Sequence, residues 1–310
     1  MIVKRNFNIW KVFQSIHKEI TVSFIISLLV WVLSSENVMN WSIPFSIIGI
    51  LGSSLAIFIA FRNQSSYARW WEARTIWGNV VANSRVFARQ IITNVDHAFI
   101  SNKITQEKAE SFKKEMIFRH IAFVHSLRLQ LRNQSVMNEL TEYLIVNERE
   151  ELTNKENIPN YLLSKQGERI KDATREEHLG AFDTISMEPN LASFSNFQSA
   201  SERIKNTPLP MNYQYFTTLF LYVFIVITPV SIVGDFHKLQ LSFASIPLCL
   251  LLTFVFSIMN KVGKLNENPF DNQVTDIPLT ALCNEIERDL KEMLQHSLPE
   301  KTQPINGYLD

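Results

Sequence analysis

The chain has 310 residues, 30 Lys and Arg against 30 Asp and Glu, a formal net charge of zero and a mean hydropathy of +0.00. That balance, with no basic run, excludes a nucleic-acid binder held by phosphate attraction. Eight glycines without a glycine-rich loop exclude a phosphate cradle, and the two distant cysteines, Cys249 and Cys283, form no metal or redox motif and read as buried thiols.

A mean hydropathy near zero beside 19% charged residues conceals two populations along the chain. Residues 1–19 read as an amphipathic segment with a basic bias, Lys4, Arg5, Lys11 and Lys18. Four windows then lack any charge: 20–35, 37–61, 206–234 and 239–260. A membrane helix needs about 20 mainly apolar residues. The last three windows meet this, and the first does so only by taking in Lys18 and Glu19 at the interface. The first run has no small-residue cleavage site and is followed at once by a second, so it does not read as a cleavable signal peptide. Four long helices of a soluble core are the competing reading.

The flanks orient the windows. Basic residues precede 20, Arg62, Arg69 and Arg74 follow the second window, and Lys261 and Lys264 follow the fourth. The segment 36–40 has no Lys or Arg, and 235–238 has one Lys. The positive-inside rule puts both termini and the middle in the cytoplasm and makes two helical hairpins, 20–61 and 206–260. Localisation is then a cell membrane, crossed several times, and the inner membrane if the source is bacterial. Arg62 and Arg69 are placed to meet headgroups, and Trp70 and Trp71 suit an interface.

The middle, 62–205, reads as helix. Residues 71–95 contain no proline. Residues 112–131 put Met116, Ile117, His120, Ile121, Val124 and Leu127 on one face. Residues 147–157, "NEREELTNKEN", read as a turn or an exposed helix end. A break is expected at 186–190, "SMEPN", before another helix through Ile204. In the C-terminal segment, 261–310, "LTALCNEIERDLKEML" puts Leu279, Leu282, Ile286, Leu290 and Met293 on one face that must pack on something. The fold class is all-α, with four transmembrane helices.

In the second window Gly49, Gly52, Ser53, Ala56 and Ala60 share a narrow stripe of small residues, which lets membrane helices approach closely. Ile50, Ser54, Ile57 and Phe61 lie on the next stripe, about 100° round. Such a helix suits burial in a bundle or the wall of an oligomeric pore, where apolar rings gate by dewetting. Periodicity alone does not choose. Elsewhere, His120 and His125 are five apart, off the spacing at which two imidazoles on a helix share a metal. Arg69, Glu72 and Arg74 read as ion pairs or as a solvated charged face. No catalytic constellation, cofactor motif or metal-ligand set is present in the sequence.

The stretch 43–74, "IPFSIIGILGSSLAIFIAFRNQSSYARWWEAR", resembles the second transmembrane helix of bestrophins, particularly the bacterial ones. Residues 10–20, "WKVFQSIHKEI", resemble that family's amphipathic lead-in. Residues 202–213, "ERIKNTPLPMNY", resemble its approach to the third membrane helix, and 268–279, "NPFDNQVTDIPL", its Asn-Pro-Phe segment. The resemblance implies a homopentameric channel for small monovalent ions, with one axial pore and a large cytoplasmic helical region continuing the membrane helices. It puts Ser53, Ile57 and Phe61 in a narrow apolar neck, where Ser53 departs from the family's apolar pattern. It also implies a second constriction near the cytoplasmic exit, for which Leu191 or Phe194 is the expected residue. Animal bestrophins bind calcium through an acidic cluster after Asn-Pro-Phe; Asp271 and Asp276 alone make a poor clasp for a cation that takes six to eight oxygens. The expected ion is an anion such as chloride. A sodium-type cation channel of the same fold and a non-conducting membrane scaffold or receptor are the alternatives. The expected partners are membrane lipid, further copies of the chain and small ions.

Overall fold

The computed structural model describes residues 9–310, apart from 37, 39–41, 136, 239–240 and 305–306. Lys4 and Arg5, and Asn37, Met39 and Asn40 of the expected outer segment, lie outside the described residues. Among those described, the chain is all-α. Its helices are α1 (Ile9–Ser15), α2 (His17–Ser35), α3 (Phe45–Ile100), α4 (Gln106–Leu131), α5 (Met137–Leu140), α6 (Val146–Leu152), α7 (Ile158–Arg175), α8 (Ala181–Asn206), α9 (Met211–Lys238), α10 (Ser245–Leu265) and α11 (Leu279–Met293). Four of them, α2, α3, α9 and α10, contain stretches long and apolar enough to cross a membrane. The chain divides into two compact units, and α3 contributes its first part to one and the remainder to the other.

The apolar unit holds the residues up to Trp70 and Pro208–Asn268. Its helices pack with small and polar residues inside. The buried positions of α2 are Ser23, Ser27, Val30 and Ser34, while Phe24, Ile25, Leu28, Leu29 and Val32 are exposed. In water this would be inside out. In hydrocarbon there is no hydrophobic drive between helices, so small side chains that permit close approach take the contacts and the large apolar ones face lipid. Thr253 Oγ1 of α10 donates to Ser23 Oγ at 2.8 Å. α2 begins at His17 and so takes in Lys18 and Glu19, the extension that the short charge-free window requires. On α3, Ile48, Leu55 and Ile59 form the buried core with Leu221, Phe224 and Ile225 of α9.

The charged unit holds Trp71–Thr207 and Pro269–Asp310. The expected single apolar face of α4 is too narrow. Besides Met116, Ile117, His120, Ile121, Val124 and Leu127, the helix buries Arg119, Phe123, His125, Arg128, Leu129 and Leu131. From Arg119 to Leu129 every residue is buried, and α7, α8 and α11 pack on the helix. Its buried charge is answered locally: Arg119 pairs with Glu115 at 2.7 Å and Glu148 at 2.6 Å, which ties α4 to α6. The face of α11 that packs on α4 is Leu279, Leu282, Ile286 and Leu290; Met293, at its end, is partly exposed.

One expected boundary differs. No break occurs at 186–190, because α8 runs through Pro189. A proline there removes one backbone donor. Asn190 Nδ2, which donates to Gln90 Oε1 at 2.5 Å, and the buried Met187 and Leu191 hold the helix on its neighbours. α3 continues without interruption from the uncharged window to Ile100.

Close approach between α3 and α10 rests on Gly263. A Cβ there would stand 2.1 Å from Asn63 Oδ1, while Asn63 Nδ2 donates to the Met259 carbonyl at 2.9 Å. Gly263→Ala should cost about 1–3 kcal/mol through overpacking. Thermal unfolding in detergent checks this, and an unchanged midpoint would contradict the close approach.

Candidate functional site on α3

The uncharged half of α3 has two unlike sides. Ile48, Leu55, Ile59, Arg62 and Ser66 are buried, at spacings that keep them on one face. Ile57 precedes Ile59 by two residues and so lies about 200° round the helix, on the opposite side. It is 56% exposed, and Phe61, one turn on, is 65% exposed. Ser53, one turn before, is also exposed. The three residues of the expected neck therefore lie on one uncharged strip that the subunit's own helices leave bare.

The hydroxyl of Ser53 is turned back on the helix, with Oγ donating to the Gly49 carbonyl at 2.8 Å. Its proton is committed, and only oxygen lone pairs face outward. The expected stripe of small residues divides: Gly49, Ser53 and Ala60 are exposed, Ala56 is half-buried, and Gly52 turns inward, where a Cβ would meet the Phe224 ring at 3.2 Å. On the other flank, Leu51, Ser54 and Phe58 line an apolar recess of about 200 Å³ with Phe220 and Val223 of α9.

Of the expected interface anchors, Arg62 is corrected. It is only 4% exposed, Nη1 donates to Asn260 Oδ1 at 2.7 Å, and Glu267 stands 3.7 Å from Nη2. A guanidinium buried between helices does not reach a headgroup. Position 62 falls on the packed face, seven residues after Leu55 and three after Ile59, which flank charge alone does not reveal. Arg69 and Trp70 are half-buried, and Trp70 stacks with Tyr67 at 6.2 Å; Trp71 is 56% exposed. Glu72 pairs with Arg203 of α8.

The second expected constriction is also corrected. Leu191 is 7% exposed and Phe194 is fully buried, with Phe87, His120 and Phe123 around its ring. Neither has a surface with which to line a passage. The exposed apolar residues of α8 are Phe182 at 86% and Ile185 at 69%, on the side away from Met187, Leu191 and Phe194. A sequence signal existed: Asp183 Oδ2 accepts from Gly180 N at 2.8 Å, an acidic residue capping the helix start. Counting from that start, not from a break at Pro189, separates the two faces.

A family model described as Bacterial/Fungal Bestrophin protein matches residues 5–292. The voltage-dependent anion channel-forming protein YneE of Escherichia coli (strain K12) is 31% identical over 267 residues, which is 86% of this chain and 81% of the relative. A protein of the same description from Ralstonia nicotianae is 28% identical over 251 residues, 81% of this chain and 76% of that one. Among solved structures, a bacterial bestrophin homolog from Klebsiella pneumoniae matches with a TM-score of 0.80 at 24% identity, covering 91% of this chain and 99% of that one, a likeness of fold.

Titratable groups outside the apolar unit are held in separate settings. Among the described residues no three His, Cys, Asp or Glu side chains gather as a metal site. Asp271 pairs with Lys205, while Asp276 is buried, accepts from Gln273 N at 2.9 Å and is pushed up to about 6 by burial. His125 bonds Glu287 at 3.2 Å. His120 bonds Ser84 Oγ at 2.8 Å; because that hydroxyl donates to the Val80 carbonyl, His120 Nε2 is the donor and the ring is neutral. Burial lowers the pKa of His120 to about 3. The unfolded chain takes up this proton near pH 6.5 and the folded chain does not. Stability from the neutral ring is therefore complete above about pH 6.5 and declines toward pH 3, by up to about 1.4 kcal/mol per unit. Melting temperatures between pH 7 and 5 should fall less steeply in His120→Gln than in the parent; equal slopes would refute the assignment.

Proposed function

Since the chain belongs to the bacterial and fungal bestrophin family, we propose that it forms a homopentameric channel that passes small monovalent anions such as chloride through a hydrophobic neck. It is a multi-pass membrane protein of a channel family, not an enzyme. The observation that carries the reading is the bare strip of α3. Ile57 and Phe61 are uncharged and more than half exposed, away from the core that Ile48, Leu55 and Ile59 form with α9. Five copies arranged with that strip inward would stack rings at Ser53, Ile57 and Phe61, about 6 Å apart along the axis. Rings of this kind exclude water unless they widen, so ion passage follows wetting. Preference for anions is supported by the names of the relatives, which are anion channel-forming proteins.

In this reading the basic flanks at Lys11, Lys18, Lys261 and Lys264 lie on the cytoplasmic side, with both termini and residues 62–205. Phe182 and Ile185 replace Leu191 and Phe194 as the apolar residues available to a second constriction.

Chloride uptake into liposomes containing the purified protein tests the reading. Phe61→Ala, which widens the inner ring, should raise uptake several-fold. Ser53→Ile should lower it, because it replaces outward-facing lone pairs with a branched apolar side chain. Reversal potentials in asymmetric potassium chloride should lie toward the chloride equilibrium potential. Uptake unchanged by both substitutions would remove the neck assignment, and potentials lying toward potassium would reverse the ion.

A further inference from the structure

Beside Phe61 lies a cavity of about 460 Å³, lined among others by Arg62, Ser65, Tyr213, Gln214 and Glu267. Its lining carries charged and polar side chains, whereas two recesses of the same unit lined by Phe58 and Phe220 have almost no polar surface. Arg62 is 4% exposed, yet its guanidinium is incompletely matched. One bond runs from Nη1 to Asn260 Oδ1, and Nη2 has no hydrogen-bond partner. The Glu267 carboxylate stands 3.7 Å away, close enough to balance the charge and too far to accept a hydrogen bond. A buried cation with a loose counter-charge is costly unless something completes it.

We propose that this cavity is a docking site for a small monovalent anion, which takes the place at Arg62 Nη2 that Glu267 fills only loosely. The inference rests on the anion-channel reading and deepens it, since Phe61 borders the cavity. The unmet need is a donor's, and a donor selects an acceptor. A cation at Glu267 would face the Arg62 charge directly. An anion at Nη2 completes the guanidinium and displaces the Glu267 oxygen by a short movement. The Ser65 hydroxyl donates to the Phe61 carbonyl at 3.0 Å and contributes no proton to the anion. The Tyr213 hydroxyl and Gln214 amide are the remaining donors on the lining. Glu267 is then a tethered competitor: it keeps Arg62 neutralised when the cavity is empty and limits how long an anion stays. A purely structural role for the Arg62–Asn260–Glu267 group makes a different prediction, because removing the carboxylate would then weaken the fold without altering how anions bind.

The test uses bromide on the full-length protein, in crystals and in liposomes. Anomalous diffraction from bromide-soaked crystals should show a peak at the Arg62 guanidinium, stronger in Glu267→Gln and absent in Arg62→Gln. Bromide uptake by liposomes should saturate at several-fold lower concentration in Glu267→Gln. The carboxamide keeps the shape of the side chain, so this variant carries the test if Arg62→Gln does not fold. A wild type that conducts bromide, with no peak in the cavity in either the parent or Glu267→Gln and an unchanged half-saturation, would overturn the site and leave the channel standing. A peak that persists in Arg62→Gln would mark an adventitious ion only and overturn the site as well. No bromide uptake by the wild type would remove the channel reading and this inference with it.

Discussion

Hydrocarbon offers no partner to a peptide group, so a chain that crosses it must close every backbone hydrogen bond within its own helices. Once that is done, the remaining freedom is which way each side chain faces. The uncharged half of α3 uses that freedom unequally. Ile48, Leu55 and Ile59 meet α9, Arg62 meets α10, and Ile57 and Phe61 are more than half exposed. On α2 the exposed face carries Phe24, Ile25, Leu28, Leu29 and Val32, large apolar groups that suit lipid. In α3 the exposed side alternates Ser53, Ile57 and Phe61 between a small-residue flank and an aromatic flank, which suits contact with further copies of the helix.

The same solvent logic governs the polar residues. Ser23, Ser27, Ser34, Thr228, Ser231, Thr253 and Ser257 are all buried in the apolar unit. Several return their hydroxyl protons to their own helix or to one another, as Thr228 does to Phe224 O and Thr253 to Ser23. These groups allow close packing without a free charge. Arg62 is the exception in kind, a permanent cation at the same depth of burial, and its looser matching is what makes it a candidate for ion contact rather than for packing alone. In the charged unit, by contrast, Arg119 is fully matched by Glu115, Glu148 and Gln166, and it reads as structure.

Much of this was legible in the sequence, and the reasons it stopped are physical. Charge-free windows revealed the membrane helices because desolvating a charge in lipid is costly at every position along a span. The wheel positions of Ile57 and Phe61 followed from the period of the helix once its start was fixed. Three features resisted. The charge-free run of α2 is short, and its inward face is mostly serine rather than large apolar residues. The enclosure of α4 was hidden because Arg119, His125 and Arg128 count as polar until their partners, Glu148, Glu287 and Thr280, are brought from elsewhere in the chain. Pro189 was read as a stop, although one lost backbone bond is readily outweighed by the contacts of Met187, Leu191 and Phe194.

The account depends on water reaching the bare strip of α3. A permanently charged methanethiosulfonate reagent reacts with a thiol only where water carries it, and the two native cysteines, Cys249 and Cys283, are buried. The most direct measurement is therefore reaction of Ile57→Cys with that reagent in liposomes, read as loss of ion flux. The account predicts that modification abolishes most of the flux and that prior chloride loading does not prevent it. A cysteine at position 57 that stays unreactive while the channel conducts would place that side chain in lipid and contradict the account.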